Sequence, residues 1–263
     1  MSSSDRQISD FAMSWFDLSG KTAIVTGGNT GLGQAFSLAL ATGGADIYCP
    51  GLAADEGETA ALVEEAGQRF TFVESDLTAD GACADVISGC VATYGKVDIV
   101  VNSAGICPLA EVLDFGREPW DATVAVNLTA AFEMSAEAAK VMIPQRSGKI
   151  INICSMFSFL GGQLSPAYAA TKHGIAGLTK AYADELAMHN IQVNGIAPGY
   201  FATAVTENTR SVPELNQRVL DHIPTGRWGE RDDLMGTVVF LASRAADYVN
   251  GHVLAVDGGY LVR

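Results

Sequence analysis

Residues 22–33 read T-A-I-V-T-G-G-N-T-G-L-G, and the order of residue types in this stretch decides the fold. A short apolar run ends at Thr26, glycines follow at 27, 31 and 33, and a helix opens near Gly31. Glycine permits the tight turn and lets another backbone or a ligand come close. A helix that begins there offers free N–H groups and about half a positive charge to an anion, which suits a pyrophosphate. The spacing is G-x-x-x-G-x-G rather than the more common G-x-G-x-x-G. A glycine turn alone can be purely structural. Set between a strand and a helix at the head of an alternating chain, it reads as a dinucleotide site. Gly27, Asn29, Thr30, Gly31, Leu32 and Gly33 are its candidate contacts.

Outward from that turn the pattern repeats. Strands are expected near 22–26, 45–49, 70–74, 97–102, 148–154, 191–197 and 252–257, and helices near 31–42, 56–66, 80–94, 118–144, 166–189 and 231–243. Such alternation calls for an α/β fold: a Rossmann-type, doubly wound, seven-stranded parallel sheet with helices on both faces. No linker or repeat divides the chain, so one dinucleotide-binding domain is expected over 18–263, after an N-terminal arm at 1–17. Only 199–227 breaks the rhythm, as a long insert with a short helix around 212–222; such inserts serve as lids or binding loops.

Further dinucleotide contacts follow the strand ends. Asp76 and Leu77 come after the third strand, where a carboxylate can accept from an adenine amino group. Asn102, Ser103, Ala104 and Gly105 follow the fourth, and their small size leaves room for a ribose. The second strand ends in Cys49-Pro50-Gly51-Leu52, with neither a carboxylate for a 2′-hydroxyl nor a cation for a 2′-phosphate. Gly51 and Leu52 are contacts in either case. Asp55 and Glu56 close by repel a phosphate, so NAD(H) is favoured, with NADP(H) left open.

The 263 residues are 48% apolar and 17% charged, which suits a large core, and the net charge is −14. That charge excludes nucleic acid and anionic membrane as expected partners and disfavours an acidic carrier protein. No membrane span or secretory leader is legible, so a cytoplasmic protein is expected. Five cysteines without a C-x-x-C pair and four scattered histidines suggest neither a disulfide framework nor a metal site. Cys154 reads as core, on the side of the strand away from Ser155.

Ser155, Tyr168 and Lys172 carry the chemistry. The run K-I-I-N-I-C at 149–154 reads as a buried strand with Ser155 at its carboxyl end. Ser165-Pro166 reads as N-cap and first residue of a helix, on which Tyr168 and Lys172, four apart, share a face. A phenol, an ammonium and a hydroxyl brought together can move a proton to or from a carbonyl or alcohol oxygen. An ammonium favours the phenolate form of its neighbour, so Lys172 is expected to pull down the Tyr168 pKa from its ordinary value of about 10.

Together, T-G-x-x-x-G-x-G at 26–33, N-S-A-G at 102–105, Asn127, Ser155, Y-x-x-x-K at 168–172 and P-G-Y-F-A-T at 198–203 resemble the short-chain dehydrogenase/reductase family. The stretches G-K-I-I-N-I-C-S-M-F-S-F-L-G-G, H-N-I-Q-V-N-G-I-A-P-G-Y and I-P-T-G-R-W-G, with the C-terminal tail, look like its 2-keto-3-deoxygluconate dehydrogenase (2-deoxy-D-gluconate 3-dehydrogenase) branch. The resemblance implies an enzyme that interconverts a secondary alcohol and a ketone on a sugar acid by hydride transfer. Tyr168 is then the general acid/base, Lys172 its partner and a ribose ligand, and Ser155 the group that orients the substrate oxygen. Asn127 holds a water that relays protons from Lys172. Pro198, Gly199, Phe201 and Thr203 match the segment that holds the carboxamide.

Met156, Phe157, Gln163 and Tyr200 are expected to line the pocket of a small-molecule substrate beside Ser155 and Tyr168, and Arg210, Arg218 or Arg227 to meet its carboxylate. A rival reading is a 3-oxoacyl-carrier-protein reductase or another polyol or ketone reductase; a remoter one is a cofactor-sensing regulator without turnover. Small and apolar residues on several faces of the helices at 118–144 and 166–189 suit a homotetramer.

Overall fold

The computed structural model describes residues 10–263; residues 1–9 of the expected arm lie outside the described residues. Seven strands form one parallel sheet: β1 (Thr22–Val25), β2 (Asp46–Gly51), β3 (Phe70–Glu74), β4 (Ile99–Asn102), β5 (Gly148–Ile153), β6 (Ile191–Pro198) and β7 (Val253–Val256). Their spatial order is β3-β2-β1-β4-β5-β6-β7. The chain therefore winds outward from β1 to one edge, returns to β4, and winds to the other edge. The crevice between β1 and β4 is the reversal point at which open α/β sheets bind ligands, at the carboxyl ends of the strands.

Helices α1 (Gly31–Thr42), α2 (Glu58–Glu65) and α3 (Ala82–Tyr94) link the first four strands. Beyond β4 come α4 (Arg117–Val124), α5 (Ala130–Gln145), α6 (Pro166–Leu186), α7 (Glu207–Ser211), α8 (Pro213–Leu220) and α9 (Met235–Ala242). One apolar layer joins Phe36 and Leu40 of α1 to Val238 and Leu241 of α9, across β1 and β4. The opposite layer joins Cys90 of α3, Met134 and Met142 of α5 and Leu186 of α6. Strands β1, β4 and β6 are buried along their whole length, as central parallel strands covered on both faces must be.

Four local departures from the sequence reading shape the site. The expected helix at 118–144 is interrupted by a wide π-helical turn, Ala125–Thr129, which carries Asn127. Strand β2 runs on through Pro50, whose carbonyl accepts from Gly27 N–H at 2.8 Å, tying the glycine turn to the β2 end. Ser165 sits at the N-cap of α6 but does not cap it; its hydroxyl turns back to Gln163 O at 3.3 Å. The insert at 199–227 holds two helices, α7 and α8, because Val212 is extended and Pro213 starts afresh. Its base is zipped shut by Ala202 N–H to Gly229 O (2.8 Å) and Gly229 N–H to Tyr200 O (2.9 Å).

Candidate active site

Three elements converge beside the β1/β4 crevice. Ser155 leaves the end of β5 and begins a single 3₁₀ turn, Met156–Ser158, with its Oγ accepting from Phe157 N–H at 3.2 Å. Ser158 Oγ accepts from Ser155 N–H (3.2 Å) and donates to Lys172 O (2.7 Å), which locks that turn onto α6. Lys172 reaches back and donates to Ile153 O at 2.6 Å, and its ammonium lies 5.3 Å from the centre of the Tyr168 ring. Phe157 packs edge-on against that ring at 6.2 Å and 88°.

The electrostatics correct one expectation. Burial, not Lys172, dominates the Tyr168 phenol and pushes it up to about 12, with the thiols of Cys107 and Cys154 adding to the rise and a hydrogen bond with Ser155 opposing it. Lys172 is buried too, and burial lowers its ammonium to about 8. At neutral pH the pair is thus a neutral phenol beside a charged ammonium.

Asn127 is buried and engaged by its neighbours. Its Oδ1 accepts from Ile106 N–H and its Nδ2 donates to Ile106 O, both at 2.8 Å, with a longer bond to Thr171 Oγ1 at 3.4 Å. The side chain therefore clamps the loop after β4. The wide turn sets it there, as π-type irregularities often do near functional sites.

A cleft of about 780 Å³ runs from the glycine turn to this centre. Gly27, Asn29, Thr30, Gly31, Leu32, Gly33, Gly51, Leu52, Asp76, Leu77, Ala104 and Gly105 line its first half. Ser155, Tyr168, Lys172, Pro198, Gly199, Phe201 and Thr203 line the second. Asn102 does not reach it: its amide is buried and donates to Ser135 Oγ (3.0 Å) and Asn152 Oδ1 (2.8 Å), bracing the sheet against α5. Met156 is buried and Gln163 exposed, both away from the cleft wall, and Phe157 stands behind Tyr168. Tyr200 packs against Trp228 and Tyr260, each at 5.4 Å. Cys107, Val126 and Thr206 also line the cleft, Thr206 from inside the expected lid.

The near half of the cleft fits a dinucleotide. No side chain caps α1, so the first N–H groups of that helix are left for an anion. A Cβ on Gly33 would collide with the Gly27 carbonyl oxygen and sit 2.9 Å from its carbon, and one on Gly27 would stand 3.4 Å from Ala104 Cα. Asn29 is spent on structure, donating to Ala53 O at 2.7 Å. Asp76 Oδ1 accepts from Thr78 N–H and Oγ1 at 2.9 and 2.7 Å, and these bonds lower its pKa. Asp55 caps α2 through Thr59 and Ala60 N–H, both at 3.3 Å. The charged residues on the cleft wall are Asp76 and Lys172.

Of the three candidate carboxylate partners, Arg227 is consumed in a two-pronged pair with Asp233 at 2.6 and 2.8 Å. Arg218 is exposed on α8, within electrostatic reach of Tyr200. Arg210 donates to Thr203 O at 3.0 Å. Among the described residues no His, Cys, Asp and Glu side chains cluster to hold a metal, and no helix is long and apolar enough to cross a membrane.

The profile of the family described as Enoyl-(Acyl carrier protein) reductase matches residues 27–261. The oxidoreductase YgcW of Escherichia coli is 64% identical over 96% of this chain and 97% of its own length. The 2-dehydro-3-deoxy-D-gluconate 5-dehydrogenase of Bacillus subtilis is 48% identical over 94% of this chain and 97% of its own. A crystal structure of a gluconate 5-dehydrogenase from Burkholderia cenocepacia, in complex with NADP and tartrate, superposes with a TM-score of 0.90. That structure shares 36% identity and covers 96% of this chain and 100% of its own. With its Rossmann-type sheet, its glycine turn and its Ser155/Tyr168/Lys172 centre, the chain belongs to the short-chain dehydrogenase/reductase family and is an oxidoreductase of that type.

Proposed function

We propose that the protein interconverts a ketone and a secondary alcohol on a sugar acid, such as 2-dehydro-3-deoxy-D-gluconate or 2-deoxy-D-gluconate, with NAD(P)(H). The observation that carries this reading is one continuous cleft that joins the uncapped start of α1 to Ser155, Tyr168 and Lys172. Relatives named for dehydrogenation of gluconate derivatives, and a solved one that holds NADP and a dicarboxylate, support the substrate class.

The nicotinamide, when bound, supplies or takes the hydride, and the protein supplies orientation and the proton. Gly27, Thr30, Gly31, Leu32 and Gly33 would hold the pyrophosphate, Leu52, Asp76 and Leu77 the adenosine, and Ala104, Gly105, Lys172 and Thr203 the nicotinamide end. Ser155 Oγ orients the substrate oxygen and Tyr168, as the neutral phenol, donates to it in reduction. The Lys172 ammonium favours the phenolate that this transfer leaves behind. Preference for NAD(H) is part of the proposal. It is supported by the lack of a cation on the wall around Gly51 and Leu52 and by Asp55 nearby.

A homotetramer is proposed as well, from the apolar groove where Leu128 and Phe132 meet Gly174 and Leu178 of α6. NADH and NADPH consumption measured over keto sugar acids, neutral ketoses and a carrier-bound 3-oxoacyl thioester tests the assignment. Turnover confined to the thioester, or cofactor binding with no turnover at all, refutes it.

A further inference from the structure

The loop that follows β4 offers the cleft almost nothing to hydrogen-bond. Ile106, Cys107 and Pro108 all line the cleft, and so does Val126 of the wide turn. Both backbone groups of Ile106 are taken by the Asn127 amide at 2.8 Å, and Pro108 has no N–H to give. At the centre of the segment stands the Cys107 thiol, a weak donor and a weak acceptor. Cys49, Cys83, Cys90 and Cys154 are buried, whereas Cys107 is half-buried and borders the cleft.

This apolar segment stands at the reacting end of the cleft. A Cβ placed on Gly105, two residues before Cys107, would lie 4.0 Å from Lys172 Nζ and 3.3 Å from Asn127 Oδ1. The thiol also shares its electrostatic surroundings with the catalytic pair. Burial raises its pKa and the Lys172 ammonium opposes the rise. After burial, the same thiol is the next cause of the raised Tyr168 phenol. Ser155 and Tyr168 present hydroxyls to the substrate oxygen, so polarity is concentrated where that oxygen reacts and is missing from the 106–108 side. A sugar carbon that carries a hydroxyl would lose its water against this wall and find no strong partner there, a cost that a CH2 group escapes.

We propose that Cys107 is a specificity-determining residue that touches the substrate, its thiol forming with Ile106 and Pro108 an apolar wall against the methylene of a deoxy sugar acid and so selecting it over the fully hydroxylated acid. The proposal rests on the sugar-acid reading and adds the residue that tells a CH2 from a CHOH near the reacting carbon. Cys107 takes no part in proton transfer.

The test uses the full-length protein and two substrate pairs that differ by one hydroxyl, oxidised with NAD+ or NADP+, whichever supports the faster turnover. The pairs are 2-deoxy-D-gluconate against D-gluconate and 2-dehydro-3-deoxy-D-gluconate against 2-dehydro-D-gluconate. In whichever pair is turned over, the deoxy acid should be favoured about 10- to 100-fold in kcat/KM. Cys107→Ser keeps the shape and adds a hydrogen-bonding hydroxyl, so it should cut that preference about 3- to 10-fold, whereas Cys107→Ala should leave it within about twofold. Iodoacetamide, followed by mass spectrometry, should label Cys107 ahead of the four buried thiols. In protein already saturated with NADH, the preferred deoxy acid at about ten times its Kd should slow that labelling about tenfold. No deoxy preference, a preference that Cys107→Ser leaves unchanged, or an equal drop in Cys107→Ala overturns the proposal and leaves the sugar-acid reading standing. Labelling that the acid does not slow, or that NADH alone already blocks, places Cys107 away from the substrate and overturns it in the same way. Failure to oxidise any of the four acids overturns both this assignment and the sugar-acid reading.

Discussion

Lys172→Met should be close to neutral or stabilising near pH 7 and destabilising near pH 10. Lys172 is 5% exposed, and burial lowers its pKa from 10.5 to about 8. That shift corresponds to about 3 kcal/mol between the two protonation states. The sign follows from proton counting. Between about pH 8 and 10.5 the unfolded chain binds more protons at this lysine than the native protein does, so wild-type stability rises with pH across that window. Below about pH 8 both states are charged and the whole penalty of burial is present. Methionine carries no such penalty, so it relieves about 3 kcal/mol near pH 7 and almost none at the top of the window. Against this stands a constant loss: Ile153 O forfeits its 2.6 Å donor, and an unsatisfied buried carbonyl costs about 1–3 kcal/mol. The net effect runs from about zero to +2 kcal/mol near pH 7 and from about zero to −2 kcal/mol near pH 10, where about 0.8 kcal/mol of the burial penalty is still present. Thermal unfolding of both proteins without cofactor reads this as a difference in Tm that swings by roughly 5–10 °C between the two conditions. Cofactor must be left out because anything that binds only the native state adds stability of its own. A Tm difference that stays constant with pH would refute the burial argument, whatever its sign at either end.

Tyr168→Phe removes the proton donor and should lower turnover about 10²- to 10⁴-fold with NADH affinity, followed by fluorescence, unchanged; turnover near wild type would dismiss Tyr168 as the acid. Gly33→Ala drives a methyl group into the Gly27 carbonyl and should weaken NADH at least about tenfold, so equal affinity would place the pyrophosphate elsewhere. Ketone reduction should hold level from about pH 6 to 7.5 and decline as Lys172 titrates near about 8, while alcohol oxidation rises with pH over the same range. An oxidation rate independent of pH there contradicts a buried, protonated phenol. Phe132→Glu should shift gel-filtration elution toward the monomer, and an unaltered profile would remove the α5/α6 groove from the subunit contact.

The sheet was legible because each strand is a short apolar run between helices, and buried parallel strands tolerate little else. What the pattern could not carry was anything set by the direction of one residue. Met156 and Phe157 follow Ser155 in sequence, and position along the chain alone suggests that they line the substrate pocket. The 3₁₀ turn that starts at Ser155 sends Met156 into the interior and Phe157 behind the Tyr168 ring. Asn102 ends β4 in register with Asn152 of β5, and a buried amide there finds its partners inside the sheet. Cys107 carries no signal in the sequence, where its spacing suits neither a metal site nor a disulfide. It faces the cleft because Asn127, twenty residues later in the sequence, clamps the adjoining Ile106. The wide turn that aims Asn127 is invisible in A-V-N-L-T, whose residues suit an ordinary helix equally well.

The larger revision concerns charge rather than position. A Tyr-x-x-x-Lys pair suggests an ammonium that drags a phenol toward ionisation, and that argument holds when water screens neither group and burial penalises neither. Here burial acts on both, and it drives each toward its neutral form: the phenol up to about 12, the amine down to about 8. Near pH 7 the Tyr168 phenol is neutral, while most Lys172 still carries its proton. A neutral phenol next to a charged ammonium is an acid arranged to give up its proton, since the charge beside it is worth most once the phenolate forms. Reduction of a ketone therefore meets its donor ready-made. Oxidation of the alcohol must first draw that proton away, and each unit of pH gained toward 8 makes this about 1.4 kcal/mol easier, until loss of the Lys172 charge begins to take the gain back.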